Sequence, residues 1–380
     1  MAVSVLPANQ GPLPGAGIAD RILLRAVRAT ILGEADEPPL EVSPADADWD
    51  RLLEVATRNK LAVLLLRGLS RGVPAAPQRF LATLHDQQDA TVRLNTRHLV
   101  TLRHLVPILE TNRVETVVIK GPCAQMLLHG DFFAKPSSDV DLLVSRRDFD
   151  RASAVIANSG FAVAEECFSL WWKVFLGEQH FLTGDRSHTA VDLHHRTQQP
   201  GCPAPWQPEI FLLQRMTVAV GASKVPTLSR SYATLMSCMS LAKALVHREP
   251  AGGHACDIAA GVRGHTRDQL AQLTEVAERQ GLRNTLALGL RSARLLFGVE
   301  ARLEGRGSAV LASIRDADLL AMILRPWANG IVWPRRSQML KELCDSRAAY
   351  LQEVCWKGAE EACRKWCHPT RLMAPRPRGA

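Results

Sequence analysis

Two aspartates that stand two positions apart in an apolar stretch constrain the fold more than any other feature. Asp139 and Asp141 flank Val140, and three apolar residues follow directly. Alternate side chains of an extended strand point to opposite faces, so both carboxylates share one face while Val140 and Leu142 face a core. Adjacent negative charges are costly unless a cation compensates them, and carboxylate oxygens suit Mg²⁺. The stretch predicts a buried strand that carries a metal site.

A β-branched run with a glycine turn precedes the aspartates. Residues 117–119 form a short strand pattern that ends at Lys120 and Gly121, and Pro122 suits the first turn of a helix, where its missing N–H is not needed. This order predicts a strand, a tight turn and a helix. The turn has no hydroxyl side chain, so phosphate contacts would come from backbone N–H groups, the helix N-terminus or Lys120.

A third run, residues 189–195, alternates in the same way. It places Asp192 and His194 on one face, with Val191, Leu193 and His195 on the other. Asp192 is therefore predicted as a third metal ligand. Two roles stay open for His194, because an imidazole there could act directly on an acceptor hydroxyl or a phosphate, or could orient Asp192.

The order of these motifs resembles the polymerase-beta-like nucleotidyltransferases, in which three strand-borne carboxylates hold two Mg²⁺ ions around a nucleoside triphosphate (NTP). It resembles more closely an uncharacterised bacterial nucleotidyltransferase family with the pattern K-G, a basic residue, S-D-I-D-L-L-V, G-F/Y and D-L-H. The similarity covers roughly residues 45–265. The positions that carry it are Lys120-Gly121, Lys135, residues 138–144, Gly160-Phe161 and residues 191–194.

The resemblance implies transfer of a nucleoside monophosphate from an NTP, with ATP as the expected donor, to an unidentified acceptor with release of pyrophosphate. It implies that Asp139, Asp141 and Asp192 hold two Mg²⁺ ions. It also implies that these three aspartates and His194 are the catalytic residues. The NTP-binding residues that it implies are Lys120, Gly121, Lys135 and Ser138. Lys135 stands where the family has arginine, which keeps the charge but not the bidentate fork.

A shorter match lies farther along the chain. The stretch from Lys243 to Arg248, with a later Asp257-Ile258, is similar to a helix pair in abortive-infection nucleotidyltransferase toxins, whose lysine faces the triphosphate. This similarity adds Lys243 to the expected NTP contacts.

Two other functions stay open. Relatives of the family resemble proteins found beside peptide-modifying enzymes, which suggests nucleotidyl or phosphoryl transfer to a peptide in natural-product tailoring, such as that of lasso peptides. The other function is a non-catalytic NTP-binding regulator. The missing serine after Gly121 favours the regulator, whereas Asp139, Asp141 and Asp192 disfavour it.

The composition indicates in which cellular compartment the protein is expected and whether a membrane is an expected partner. The chain has 380 residues, 47% of them hydrophobic, which is enough for a large core. No run approaches the roughly 20 apolar residues of a membrane span, and no signal-peptide pattern is present. Nine scattered cysteines favour reduced thiols. A cytoplasmic protein without a membrane partner is predicted.

The net charge of +8 is diffuse, with no basic and aromatic stripe of the kind that single-strand binders use. Nucleic acid is therefore not a favoured partner. The expected partners are the NTP and a small-molecule or peptide acceptor.

Apolar periodicity predicts an α/β (α+β) fold with a small mixed sheet flanked by helical modules. The predicted units are an N-terminal helical module (1–112), a nucleotidyltransferase core (113–200), a C-terminal helical module (201–369) and a disordered basic tail (370–380). Beyond residue 203 the chain is expected to be helical, with one long helix over about residues 337–366. Other interpretations are a helix that starts at Ser43-Pro44, a core role for Trp171, Trp172 and Phe175, and a structural role for Cys363 and Cys367.

Overall fold

The computed structural model of the chain describes residues 16–33, 47–69, 76–164, 167, 169, 171–183, 189–299 and 313–367. Its centre is a seven-stranded mixed sheet with the strand order β3-β4-β5-β2-β1-β7-β6. Strand β2 runs parallel to β5 and β1 runs parallel to β7, whereas the other neighbours are antiparallel. The strands are β1 (Thr116–Val118), β2 (Val140–Val144), β3 (Phe161–Val163), β4 (Glu178–Thr183), β5 (Ala190–His194), β6 (Arg215–Val220) and β7 (Ser223–Leu228).

Helices precede, interrupt and follow this sheet, which confirms the predicted α/β class. A turn of π-helix, Trp171–Leu176, leads into β4. The α-helices of the described residues are α1 (Ile18–Leu32), α2 (Trp49–Arg58), α3 (Ala62–Leu69), α4 (Gln78–Thr111), α5 (Gly121–His129), α6 (Phe149–Asn158), α7 (Ile210–Leu213), α8 (Arg230–His247), α9 (Gly252–Val262), α10 (Arg267–Arg279), α11 (Arg283–Phe297), α12 (Asp316–Leu324), α13 (Arg336–Leu343) and α14 (Arg347–Cys367).

The two faces of the sheet pack into two hydrophobic cores. One core joins Val140, Leu142, Val191 and Leu193 to the C-terminal half of α4 and to α6. The other joins Leu143 and its neighbours on β1 to helices α1, α8, α9 and α11. The alternation predicted for β2 and β5 is thus confirmed on their apolar side. The polar side of both strands faces the helices that follow the sheet.

The expectation that the chain is helical beyond residue 203 is wrong for residues 215–228, which form the hairpin of β6 and β7. Val218, Val220 and Val225 alternate with exposed residues and enter the core beside α4. The hairpin turns at Gly221, whose φ of +61° favours glycine. Strand β7 then pairs with β1, so the sheet extends past residue 200. The division into modules at residues 112 and 200 stays a prediction.

The long helix expected over residues 337–366 is broken into α13 and α14. Between them, the Asp345 carboxylate accepts N–H bonds from Arg283 (2.8 Å) and Asn284 (2.9 Å) at the start of α11. The Ser346 hydroxyl accepts the N–H of Ala349 at 3.1 Å and so begins α14. Short polar side chains that bond to backbone groups compete with helix continuation, which explains the break.

Two expectations lie outside the described residues. These are the Ser43-Pro44 helix start and the tail at 370–380. Within the described part, α2 begins at Trp49, and its N-cap Asp48 accepts the N–H of Arg51 at 2.9 Å.

Candidate active site

Three neighbouring strands place five titratable side chains on one face of the sheet, and we call this group the strand floor. Asp141 of β2 lies opposite Asp192 of β5, which lies opposite His180 of β4. In the next row, His194 of β5 lies opposite Glu178 of β4. Because side chains alternate along each strand, residues two positions apart share a face. The register therefore assembles the group from three separate segments.

Short contacts join the strand floor into one network. His194 Nε2 lies 3.1 Å from Asp141 Oδ1, and its Nδ1 lies 3.4 Å from Glu178 Oε2. His180 Nδ1 lies 2.7 Å from Asp192 Oδ1, and its Nε2 lies 3.6 Å from Glu178 Oε1. Each histidine therefore bridges one aspartate and the same glutamate.

The histidines compensate the charge of the carboxylates. Burial disfavours a charged imidazole, but the bonds to Asp192 and Glu178 outweigh it and raise the pKa of His180 to about 10. Burial also opposes the charge on His194, yet Asp141 and Glu178 raise its pKa above the usual value. Burial alone would raise the pKa of Asp141, but Lys120 and His194 together lower it. The aspartate is therefore ionised at neutral pH with cationic neighbours.

Within the described residues, one group of three side chains has the spacing of a metal site. Asp141, Asp192 and His194 are all buried, and they each offer a ligand atom within 4.8 Å of the others. Two carboxylates suit a hard divalent cation, and an imidazole is a common ligand of transition metals. The donor set therefore fits a divalent cation. For His194, the sequence had predicted a role in catalysis or in orienting Asp192.

Asp139 lies in the same cleft but outside this group of three. Its Oδ2 accepts the hydroxyl of Ser138 at 3.0 Å. Burial, together with the charges of Asp141 and Asp192, raises the pKa of Asp139 to about 6. The role of Asp139 as a metal ligand and that of Ser138 as an NTP contact stay predictions.

The predicted phosphate turn lies at the edge of the strand floor. Gly121 has a φ of +74°, and a side chain there would approach the backbone of Asp139, so glycine is favoured for its conformation. Gly121 is the first residue of α5, whose N-terminal turn lines the cleft. Lys120 Nζ lies 3.4 Å from Asp141 Oδ1, with its side chain 39% exposed. Its charge is therefore close to the predicted metal ligands.

Lys135 is buried and joins the loop before β2 to helix α9. Its Nζ lies 2.6 Å from Asp257 Oδ2 and donates to the Gly253 carbonyl at 2.8 Å. Asp257 also contacts His129 Nε2 at 2.7 Å. Although burial would raise the pKa of Asp257, Lys135 and His129 lower it. Lys135 lines the cleft as predicted for a site residue, but its closest partners are protein groups.

Buried side-chain amides fix the loop that leads into the D-x-D motif and strand β2. Asn95 of α4 donates to the carbonyls of Phe132 (2.7 Å) and Lys135 (2.9 Å) and accepts the N–H of Ser137 at 3.1 Å. Gln125 of α5 donates to the Ser137 hydroxyl at 3.0 Å. These bonds hold the entry into β2 in one conformation.

Helices cover the strand floor and leave a cleft of about 380 Å³ between them. Helix α8 contributes Ser237, Ser240 and Lys243 to the lining of the cleft. Lys243 is the residue that the shorter sequence match predicted as an NTP contact. Lys60, between α2 and α3, lines it from the N-terminal side. We call Lys60, Lys135, Lys243 and Asp257 the helical rim. The ammonium groups of Lys60 and Lys243 form no salt bridge with a described carboxylate.

Sequence reasoning missed Glu178, His180 and Lys60. Glu178 and His180 alternate with buried Gln179 and Phe181, so the same pattern that identified Asp192 could have found them once β4 was paired with β5. Lys60 carries no comparable signal, because it lies in a helix junction remote in sequence from every motif.

Trp171 and Phe175, before β4, contact α14, whereas the Trp172 ring meets the His180 ring of the strand floor edge to face at 4.7 Å. Trp171 Nε1 donates to Glu360 at 2.6 Å, and the ring of Phe175 lies 4.9 Å from that of Trp356. Trp171 and Trp172 meet edge to face at 5.2 Å. All three side chains are only half-buried and belong to neither of the two hydrophobic cores of the described residues, so the core role expected for them is not confirmed. The side chain of Cys367 and residue His368 lie outside the described part of the chain.

The fold, the acidic strand floor and the glycine turn are the features of a nucleotidyl-transferring protein. The chain belongs to a family described as uncharacterised nucleotidyltransferases, whose sequence model matches residues 45–298. This match confirms the resemblance drawn from the motifs, and membership implies an NTP substrate. No curated protein matches the chain. Among the described helices, none has the length and apolar character needed to cross a bilayer.

Proposed function

We propose that the protein is a metal-dependent nucleotidyltransferase of the polymerase-beta-like type. It transfers a nucleoside monophosphate from an NTP, with ATP as the expected donor, to a small acceptor and releases pyrophosphate. The observation that carries the proposal is the buried group of Asp141, Asp192 and His194, whose ligand atoms lie within 4.8 Å of one another at the base of the cleft. The family match supports the same reaction class.

Bound divalent cations, Mg²⁺ in our proposal, would supply charge neutralisation at the phosphates and a more acidic acceptor hydroxyl. Asp141 and Asp192 would hold the cation, and Asp139 would join them from the adjacent strand entry. His194, fixed between Asp141 and Glu178, would orient the Asp141 carboxylate. In-line displacement needs little covalent chemistry from the protein, so positioning by these buried strands is the main contribution.

Cationic groups around the cleft suit the triphosphate. Lys120 stands at the N-terminus of α5, where free backbone N–H groups attract an anion. Lys243 approaches from α8 and has no described carboxylate partner. Gly121 permits close approach to the turn, and Ser138 offers a hydroxyl. We assign these residues to NTP binding, with Lys135 supporting the loop between them.

A second cavity of about 130 Å³ adjoins the cleft and shares Arg196, Thr197 and Gln198 with it. These residues follow directly after β5, which carries Asp192. The Thr197 hydroxyl is buried and has no partner among the described residues. A cavity of about this size holds one benzene-sized ring. It favours a small molecule or a peptide side chain as the acceptor over a nucleic-acid strand.

The test uses purified protein, Mg²⁺, each NTP labelled at the α-phosphate, and candidate acceptors followed by mass spectrometry. We expect label on an acceptor together with release of pyrophosphate, both lost after chelation of Mg²⁺. Labelled peptide would support the tailoring function. Tight NTP binding without any turnover would contradict the enzyme and support the regulator.

A further inference from the structure

Lys60 is the cleft residue that neither the motifs nor the family pattern identifies. It lies between α2 and α3 in the N-terminal helices, far along the chain from both the D-x-D strand and the glycine turn. Its side chain nevertheless lines the same cleft as Asp139, Asp141 and Lys243. A cation from a third part of the chain therefore reaches the predicted NTP site.

The backbone of Lys60 is in a conformation that disfavours lysine. Its φ is +59°, directly after the last turn of α2, where Leu61 N–H bonds to the Ala56 carbonyl at 2.8 Å. Helices α1, α5 and α11 place glycine, the preferred residue, at the corresponding position, whereas α4 and α8 are followed there by Arg113 and Arg248. Since glycine would suit this backbone better, the local fold does not explain why lysine occupies it.

The neighbouring residue fixes where Lys60 lies. Asn59 is buried, donates to the carbonyls of Val55 (2.9 Å) and Leu324 (2.8 Å), and accepts the N–H of Gly252 at 2.8 Å. A Cβ at Gly252 or at Gly253 would lie 2.7 Å from Asn59 atoms. The junction is therefore packed tightly against the start of α9, which also holds Lys135.

The charges around Lys60 suit an anion in the cleft. Lys120 is paired with Asp141 and Lys135 with Asp257, but the Lys60 ammonium forms no salt bridge or hydrogen bond with a described residue. The Lys60 side chain is exposed at the cleft, where partial desolvation and the charge of Lys135 lower its pKa, while Asp139 and Asp141 oppose this. A polyanion in the cleft would relieve the repulsion between the lysines.

We propose that Lys60 binds the β- and γ-phosphates of the NTP, so that the N-terminal helices complete the nucleotide site together with α8. This inference rests on the proposed function, since it requires an NTP in the cleft. Lys60 would then be a further residue of the NTP site, and its position is fixed by helix packing rather than by a strand or a glycine turn.

The test is Lys60→Gly, because glycine removes the ammonium and suits the left-handed backbone. Calorimetry with Mg²⁺ and the α,β-methylene analogue of each of the four NTPs should show a Kd raised about tenfold for the analogue that wild type binds. The Kd of the matching nucleoside monophosphate should be unchanged, because the monophosphate lacks the phosphates that Lys60 contacts. The melting temperature without ligand should be equal to or above that of wild type. Lys60→Arg should keep the wild-type Kd.

Arg113→Gly is the matched control. Arg113 is another cation in the left-handed region, with a φ of +56°, but it does not line the cleft. This variant should gain similar backbone stability and leave the Kd unchanged. Lys60→Gln tests the charge without the added backbone freedom, and it should weaken NTP binding like Lys60→Gly.

The outcomes separate this inference from the proposed function. If wild type binds none of the four analogues, the proposed function fails and the inference fails with it. If wild type binds one analogue and both Lys60→Gly and Lys60→Gln bind it equally well, the inference is wrong and the proposed function stands. An equal loss of affinity for the monophosphate would also overturn it, because the contact would then not be with the β- and γ-phosphates.

Discussion

The strand floor and the helical rim enclose the same cleft but are built in different ways. The strand floor comes from three adjacent strands, and its register places Asp141 opposite Asp192. The helical rim comes from helical segments before and after the sheet and from the loop before β2, and its members meet because helices pack around the cleft. The strand floor gathers carboxylates and histidines, whereas the rim contributes three lysines and one aspartate. In the proposed function, the strand floor would carry out the chemistry and the helical rim would bind the substrate.

The strongest test of this division is Asp141→Asn. It removes a proposed metal ligand from a strand whose apolar side is unchanged, so turnover should fall by about a thousandfold or more, equivalent to ~4 kcal/mol, with the fold retained. Pyrophosphate release and circular dichroism measure the two effects. Asp150→Asn is the control, because Asp150 is 85% exposed on the surface. Wild-type turnover in Asp141→Asn would show that the strand floor takes no part in the chemistry.

The next largest effect should come from the rim and should be on stability. Asp257→Ala leaves Lys135 buried without its carboxylate partner, so the free energy of unfolding should fall by about 3 kcal/mol. Urea denaturation measures it. An unchanged unfolding midpoint would mean that the contact between Lys135 and Asp257 contributes nothing to the fold.

The same residue predicts a pH dependence. Because the pKa of Asp257 is lowered in the folded state, its contribution is fully present above the unfolded value of about 3.9 and is lost as pH falls through the folded value. Wild type should therefore lose more stability than Asp257→Asn when urea denaturation is repeated at pH values below about 4. Parallel acid curves for the two proteins would contradict this.

A smaller effect should follow from loosening the entry into the floor. Asn95→Ala removes the bonds to Phe132, Lys135 and Ser137, so the free energy of unfolding should fall by about 2 kcal/mol and kcat should fall with it. Asn112→Ala is the control, because that exposed amide caps only the end of its own helix. A change in stability without any change in kcat would show that the loop conformation does not set the position of the D-x-D motif.

The smallest effect on stability should come from Lys243→Ala. If the rim captures substrate, the KM for NTP should rise several-fold, while the melting temperature without ligand stays within about 1 °C of wild type, because a rim lysine contributes little to stability. Lys224→Ala, on the exposed side of β7, is the control. Equal KM values for wild type and both variants would remove Lys243 from the site.

The strand floor could be predicted from sequence largely because strand alternation is local. Asp141 and Asp192 follow from period-2 patterns within their own strands, and the structure joins them by strand pairing. Predicting Glu178 and His180 as site residues would also have required knowing that β4 pairs with β5. Lys120 and Gly121 followed from the strand and turn order in the same local way.

The motifs singled out Lys135 and Lys243, but the contacts of the rim could not be predicted because its geometry depends on contacts between distant segments. Lys135 matched a motif position, but nothing in the sequence linked it to Asp257, more than a hundred residues later. Lys60 depends on the bond between Asn59 and Leu324, which also joins distant parts of the chain. The hairpin at residues 215–228 was missed because its alternation is short and was placed in a region expected to be helical.

The packing of α14 has a consequence for the order in which the site forms during synthesis. Its residues Gln352 and Glu353 line the second cavity, and its Trp356 and Glu360 hold the π-helical turn before β4. Translation releases all seven strands before α14, and chains begin to fold from the N-terminal side. The nascent protein can therefore assemble its acidic centre before the wall of the proposed acceptor cavity exists. We expect a ribosome-bound chain to acquire its nucleotide site first and its choice of acceptor last.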